Sequence, residues 1–235
     1  MSRLSSSGAA KAAPITVAPI SAVLQILDAT WKQSVSPTKT AYAEPLDGLI
    51  ETVLSQNTND RNRDAAFARL KAKGTWAQIA ALPTEEISEA IRPAGLTSGK
   101  TATIVRVLAA VKETFGDYTL EPLKTASRET AWEFLTGIRG VGPKTAACVL
   151  AFDLGIPAFP VDTHVARIAR RLGWARPTES PANIQARLEE IVPADQKLAG
   201  HLNIIQHGKN ICRARNPKCP ECPLRGICPS AGAAS

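Results

Sequence analysis

The chain has 235 residues, of which 44% are hydrophobic and 21% charged, a composition typical of a globular protein with one large or two modest domains. Its formal net charge of +7 favours a polyanionic partner, nucleic acid before a membrane surface. The chain has no uninterrupted apolar run of about 18 residues, which excludes a transmembrane helix.

The N-terminal segment is predicted to be a disordered extension covering residues 1–19. It is rich in Ser and Ala, contains Arg3 and Lys11, and has no acidic residue. An organelle transit peptide with the same composition is the alternative. Pro14 and Pro19 interrupt the only apolar run, so a secretory signal is not expected, and the protein is predicted to be cytoplasmic.

The following segments carry apolar residues at helical spacing. Helices are predicted over 20–33, 46–54, 63–71, 100–114 and 145–153. Ser127 followed by Glu129 favours a helix start for a further segment, 128–136. Alternating β-branched runs are almost absent, so the predicted fold is all-α.

The stretch GIRGVGPKT (137–145) differs from a nucleotide-binding Walker loop, because Pro143 separates the second glycine of the pattern from Lys144. Its context is helix, turn, helix rather than strand, turn, helix. Gly137 is predicted to end the first helix with a positive φ, and Pro143 to begin the second. Such a turn presents backbone N–H groups that can hold a DNA phosphate, with Val141 as an apolar contact at its tip.

The five cysteines fall into two groups. Cys148 lies in an apolar helical pattern and is predicted to be buried and inert. The other four are Cys212, Cys219, Cys222 and Cys228, spaced C-x6-C-x2-C-x5-C. In a reducing compartment, clustered thiols indicate a metal site. Spacing alone leaves both tetrahedral zinc and a 4Fe–4S cluster open.

Five motifs in the correct order resemble the base-excision DNA glycosylases of the helix-hairpin-helix superfamily. Residues 135–146 resemble the helix-hairpin-helix itself, and PVDTHVARIARRLGW (160–174) resembles the segment that carries the essential aspartate. LIETVLSQNTND (49–60) resembles the family's L-S-x-Q-x-x-D helix start, and AGLTSGKTATI (94–104) resembles its G-L-x-x-x-K-A loop. The cysteine spacing is similar to that of endonuclease III and its relatives, which favours 4Fe–4S over zinc.

This resemblance implies two all-α lobes. A six-helix barrel would cover 44–156, with the helix-hairpin-helix at 135–146. The second lobe would combine 20–43 with 157–228 and hold the 4Fe–4S cluster, followed by a flexible tail, 229–235. The implied partner is double-stranded DNA containing damaged bases or abasic sites, bound by a monomer. The implied activity is that of a bifunctional DNA glycosylase and abasic-site lyase acting on oxidised pyrimidines.

The resemblance also implies roles for individual residues. Lys144 would attack C1′ of the damaged nucleotide, and Asp162 would stabilise the sugar cation. Other residues are expected to contact DNA, namely Gln56, Asn57, Leu96, Gly140, Val141 and Gly142. Cys212, Cys219, Cys222 and Cys228 would ligate the cluster.

The helix predicted over 163–172 carries further polar residues. Asp162 is also expected to cap this helix, and His164 to support the site without acting as a base. Arg167, Arg170 and Arg171 are predicted to face either DNA phosphate or solvent.

The sequence departs from the family pattern at two places. Asn57 stands where relatives typically carry Gln, and Thr97-Ser98 stands where they often carry Tyr-Asn. The lesion preference is therefore open. Two alternatives remain: a monofunctional glycosylase of the same fold for mismatched or alkylated bases, and a non-catalytic DNA-binding module.

Overall fold

The structure is a computed structural model that describes residues 17–31 and 42–232. Within those ranges it contains eleven α-helices and no strand. The helices are α1 (Ile20–Trp31), α2 (Pro45–Leu54), α3 (Asp60–Lys71), α4 (Trp76–Ala80), α5 (Thr84–Ala90), α6 (Thr97–Phe115), α7 (Arg128–Gly137), α8 (Pro143–Phe152), α9 (Thr163–Arg171), α10 (Pro181–Ile191) and α11 (Lys197–Asn210). None of the helices in the described part of the chain combines the length and apolarity needed to cross a membrane.

The predicted all-α fold is confirmed, and every predicted helix is present with ends shifted by a few residues. Residues 32–33 of the first predicted helix lie outside the described residues. The pattern did not identify α4, a five-residue helix whose start is held by a capping box between Thr75 and Gln78. It also gave no bounds for α10 and α11.

The buried apolar residues form two separate cores. One is built from α2 to α8 and continues to Ala158. The other joins Ala18 and α1 with Phe159 and the helices that follow it, α9, α10 and α11. Because adjacent residues 158 and 159 belong to different cores, the segment that leads into α9 passes directly from one lobe to the other. These cores support the predicted two-lobed division, whose bounds stay a prediction.

The N-terminal part of the second core includes residues predicted to be disordered. Ala18 is buried, donates its N–H to the Leu172 carbonyl at 3.0 Å, and accepts from Trp174 Nε1 at 2.7 Å. The prediction of disorder is therefore wrong for 17–19, because these contacts attach the segment to the end of α9. Residues 1–16 lie outside the described residues, as do 233–235 of the predicted tail.

Helices α2 and α8 approach each other closely at Gly48. A Cβ atom at this position would overlap the carboxylate of buried Asp153, the residue that follows α8. Glycine is therefore required by helix packing here rather than by a turn. The contact matters for the site because Lys144 lies at the other end of α8.

Replacing Gly48 by Ala is expected to lower the free energy of unfolding by about 1–3 kcal/mol, because the added methyl group overlaps a buried side chain. Gly137→Ala is the matched control: Gly137 lies within α7, and no atom lies within 4 Å of the added Cβ. The control is expected to change stability by less than about 1 kcal/mol. Urea unfolding measures both, and equal losses would contradict the packing argument.

Candidate active site and cluster-binding loop

The turn between α7 and α8 is held by one glycine with a positive φ, Gly140. Its φ is 108°, and a Cβ there would collide with the Thr103 side chain of α6. The predicted positive φ of Gly137 is wrong, because that residue completes α7 and the extended Ile138 ends the helix. Gly142 caps α8, and Pro143 occupies its first turn as predicted.

Val141 does not provide the predicted apolar contact at the tip of the turn. Its side chain is 4% exposed and belongs to the core of the first lobe. Gly140 and Gly142 are both exposed at the surface of the turn. The first backbone hydrogen bond of α8 runs from the Ala146 N–H to the Gly142 carbonyl, so the preceding N–H groups have no partner within the helix. These groups can bind an anion.

Lys144 and Asp162 line the same cleft, of about 790 Å³, between the two lobes. Lys144 lies in the first turn of α8. Asp162 caps α9, its Oδ1 accepting from the Val165 N–H at 2.8 Å. The predicted capping is confirmed. Capping fixes the carboxylate at the cleft surface, where it faces any molecule that enters.

His201 of α11 lies behind this pair. It is 3% exposed, and its ring packs edge-on against Phe152 and Phe159. Burial lowers the pKa of His201 to about 4, while Asp162 raises that pKa and Lys144 lowers it. The imidazole is therefore neutral at neutral pH. The sequence analysis did not identify it.

The two loops predicted to enter DNA have unusual backbones. Asn57 has a φ of 52° and Leu96 a φ of 48°, in the left-handed region that residues other than glycine rarely adopt. Leu96 is 65% exposed. Gln56 instead donates to the Gly140 carbonyl and to Thr145 Oγ1, both at 3.3 Å, which joins its loop to the hairpin.

Lys100 connects these two loops. Its side chain is buried, and its Nζ donates to the carbonyls of Leu54 and Ala94, each at 2.8 Å. Leu54 ends α2 just before Asn57, and Ala94 precedes Leu96. A single ammonium group therefore hydrogen-bonds to the backbone just before each of the two loops. Burial lowers the pKa of Lys100.

The three arginines of α9 are directed at backbone carbonyls. Arg167 donates to the Cys212 carbonyl at 2.9 Å, and Arg171 donates to the Arg213 carbonyl at 2.7 Å. Arg170 lines the cleft and donates to the Glu179 carbonyl at 2.7 Å. The prediction that all three face phosphate or solvent is wrong for Arg167 and Arg171, because both hold the cysteine loop to α9.

The His164 ring is part of the same network. It lines the cleft, and its Nδ1 lies 3.1 Å from the Arg167 guanidinium. The geometry gives it a contact with the arginine that holds the cysteine loop. Its predicted supporting role stays a prediction.

The four clustered cysteines line one cavity of about 40 Å³. Burial raises the pKa of the Cys222 and Cys228 thiols, and charge on the neighbouring thiolates raises it further. Arg171 donates to Cys212 Sγ at 3.2 Å, which ties this sulfur to the end of α9. Among the described residues, no three His, Cys, Asp or Glu side chains converge closely enough to hold a single metal ion. The residues fit a group bound by several separated thiolates.

Residues 50–194 match the family model for HhH-GPD superfamily base excision DNA repair proteins, which is more than half of the chain. The chain belongs to this superfamily. Residues 212–228 of this glycosylase match the iron–sulfur binding domain of endonuclease III. The cysteine loop is therefore the site of a 4Fe–4S cluster rather than zinc.

Relatives cover most of this DNA glycosylase. A putative DNA glycosylase of Arabidopsis thaliana is 36% identical over 193 residues, which are 77% of this chain and 66% of that protein. Endonuclease III of Thermotoga maritima is 35% identical over 188 residues, 79% of this chain and 83% of the relative. A structure of endonuclease III trapped in a covalent intermediate with DNA aligns with a TM-score of 0.76 and 30% identity, covering 89% of this chain and 93% of that one.

Lys100 and His201 were both missed as site residues, although each leaves a signal in the sequence. Lys100 lies on the same face of α6 as buried Ile104, Val107 and Val111. A polar residue at a position that the periodicity assigns to the core indicates an internal hydrogen bond. His201 lies in the same way on the buried face of α11.

Replacing Lys100 by Met is expected to lower the free energy of unfolding by about 1–3 kcal/mol, because two buried carbonyls lose their donor. It is also expected to slow base extrusion, measured with a fluorescent base analogue in duplex DNA. Lys112→Met, at an exposed position on the same helix, is the control: it loses one exposed hydrogen bond, to the Gly116 carbonyl, and should lower stability by about 1 kcal/mol or less. If both variants extrude the base at the wild-type rate, Lys100 does not position the loops.

Proposed function

We propose that this glycosylase is bifunctional: it removes oxidised pyrimidines from duplex DNA and then cleaves the abasic site by β-elimination. The observation that carries the proposal is the presence of Lys144 and Asp162 in one cleft between the lobes. An amine and a carboxylate on opposite sides of a cleft suit a reaction that forms and then resolves a cationic sugar. The protein would act as a monomer in the cytoplasm.

The damaged nucleotide must leave the duplex, because C1′ is inaccessible inside the base stack. The Lys144 amine then forms a bond to C1′ as the glycosidic bond breaks, and the bonding electron pair leaves with the base. Asp162 stabilises the positive charge that develops on the sugar and assists the proton transfers. The sugar ring then opens: the C1′–O4′ bond breaks, O4′ takes up a proton and the nitrogen loses one, which gives a Schiff base between Lys144 and C1′. Loss of a C2′ proton and cleavage of the C3′–O bond then release the 3′ phosphate.

DNA would be held at two places beside the cleft. The exposed backbone of Gly140 and Gly142 presents N–H groups at the start of α8 to one phosphate. The cysteine loop adds exposed cations, namely Arg213, Arg215 and Arg225. These contacts fix the duplex without reading its base sequence.

Two loops would replace the extruded base. Gln56 or Asn57 would fill the gap, and exposed Leu96 would separate the bases of the opposite strand. A short amide at Asn57 and the absence of an aromatic ring at Thr97 bear on which lesion fits. The preference for oxidised pyrimidines is the one that the motif resemblance to the endonuclease III family implies.

The test of the lyase is reductive trapping with sodium borohydride on duplex DNA containing thymine glycol or an abasic site. The wild-type protein is expected to form a covalent adduct, which Lys144→Ala abolishes because no amine remains to form the Schiff base. Lys209→Ala is the matched control, since Lys209 lines the same cleft. It should still form the adduct at saturating DNA.

The other outcomes of the trapping experiment separate the alternatives. Base release without an adduct would identify a monofunctional glycosylase. If protein with a loaded cluster gives neither base release nor an adduct, the result favours a non-catalytic DNA-binding module.

Asp162 can be tested for chemistry separately from capping. Asp162→Asn keeps an oxygen that accepts from the Val165 N–H, and Asn caps helices as well as Asp does. This variant is expected to keep wild-type stability but to release base roughly a hundredfold more slowly, because the carboxylate charge is gone. Asp162→Ala should lose about 1 kcal/mol as well. A wild-type rate in Asp162→Asn would restrict the residue to capping.

A further inference from the structure

Helix α10 contacts both α8 and α9. Lys144 lies in the first turn of α8, and Asp162 caps the start of α9. Gln185 lies on its buried face and is 2% exposed. Its Nε2 donates to the Pro143 carbonyl at 3.0 Å, and its Oε1 accepts from the Val161 N–H at 3.1 Å. One side-chain amide therefore bonds to the backbone of both lobes.

The two atoms that Gln185 binds are each next to a residue of the proposed active site. Pro143 immediately precedes Lys144, and Val161 immediately precedes Asp162. The Pro143 carbonyl has a second lone pair for its helical hydrogen bond, so the amide adds to α8 without disturbing it. The amide therefore restricts how far the two backbone segments can move apart.

A second residue of α10, Glu189, serves as a comparison, because it bonds to the segment leading to Asp162 but not to the backbone beside Lys144. Glu189, one turn after Gln185, accepts from the Phe159 N–H at 2.7 Å and pairs with Lys197 at 2.7 Å. It thus anchors the same extended segment that leads to Asp162. Its bond to that segment lies further from the cleft, and its pairing with Arg128 at 3.1 Å reaches only the start of α7.

We infer that Gln185 is a positioning residue that sets the separation of Lys144 and Asp162 by hydrogen-bonding the backbone beside each of them. The inference rests on the proposed function of that pair. Its physical basis is the steep dependence of rate on alignment, since a displacement of about 1 Å can cost a hundredfold. Donor and acceptor at opposite ends of one rigid amide fix both segments, which an apolar side chain cannot do.

The variant Gln185→Met keeps the length of the side chain and removes both hydrogen bonds. In single turnover at saturating DNA, we expect base release to slow by roughly ten- to hundredfold, with the Kd for DNA unchanged. If Lys144 is displaced, its amine should also bond to C1′ in fewer of the base-release events. The fraction of released base that yields a cleaved strand is therefore expected to fall.

Glu189→Gln is the matched control. It keeps the acceptor for the Phe159 N–H and loses the ion pairs, so it lowers stability without altering the backbone beside Lys144. Its single-turnover rate and strand-cleavage fraction should match the wild type. Thermal unfolding of both variants separates loss of stability from loss of alignment.

Gln185→Glu provides a second variant if Gln185→Met fails to fold. It keeps the acceptor for the Val161 N–H and, when ionised, loses only the donor to Pro143, so it too should slow base release and uncouple strand cleavage. Wild-type rates and cleavage fractions in the folded Gln185 variants would overturn the inference, as would equal losses in Glu189→Gln. Absence of base release and of the trapped adduct in the wild type would instead overturn the proposed function.

Discussion

The two helices that begin at the cleft, α8 and α9, are rooted in different hydrophobic cores, and the rest of the site depends on how these cores meet. Each helix start supplies N–H groups without helical partners and the positive end of a dipole. At α8 no side chain caps those groups, whereas at α9 the Asp162 carboxylate accepts from the Val165 N–H. The separation of Lys144 from Asp162 is therefore a property of inter-lobe packing and not of either helix alone.

Buried cations stabilise this arrangement by satisfying carbonyl groups where helices and loops end. Buried Lys100 does so beside the loops that carry Asn57 and Leu96, and the partly buried Arg167 and Arg171 do so beside the cysteine loop. The desolvation cost of these cations is offset by several charge-assisted hydrogen bonds each. The net charge of +7 thus overstates the positive surface available to DNA, because part of it lies inside.

The same networks couple the cluster to the cleft mechanically. Helix α9 has Asp162 at its start, while Arg171 near its end donates to the backbone and sulfur atoms of the cysteine loop. Correct folding of the loop around its cluster therefore holds the helix whose start forms one wall of the cleft. The strained backbones of Asn57 and Leu96 are maintained in the same way, by contacts from outside their own loops.

The sequence by itself determined the all-α fold, the places of most helices though not their ends, the membership of the glycosylase superfamily and the four clustered cysteines. The fold and the helices follow from local periodicity and capping, which act between residues close together in the chain, whereas the superfamily was identified from the resemblance of five motifs. Helix α4 was not predicted, because five residues are too few to show helical periodicity. The tertiary structure alone decided the burial of Val141, the inward direction of Arg167 and Arg171, and the bridges made by Lys100 and Gln185. Each depends on partners distant in sequence, and a polar side chain at a core position gives no sign of which distant carbonyl it will meet.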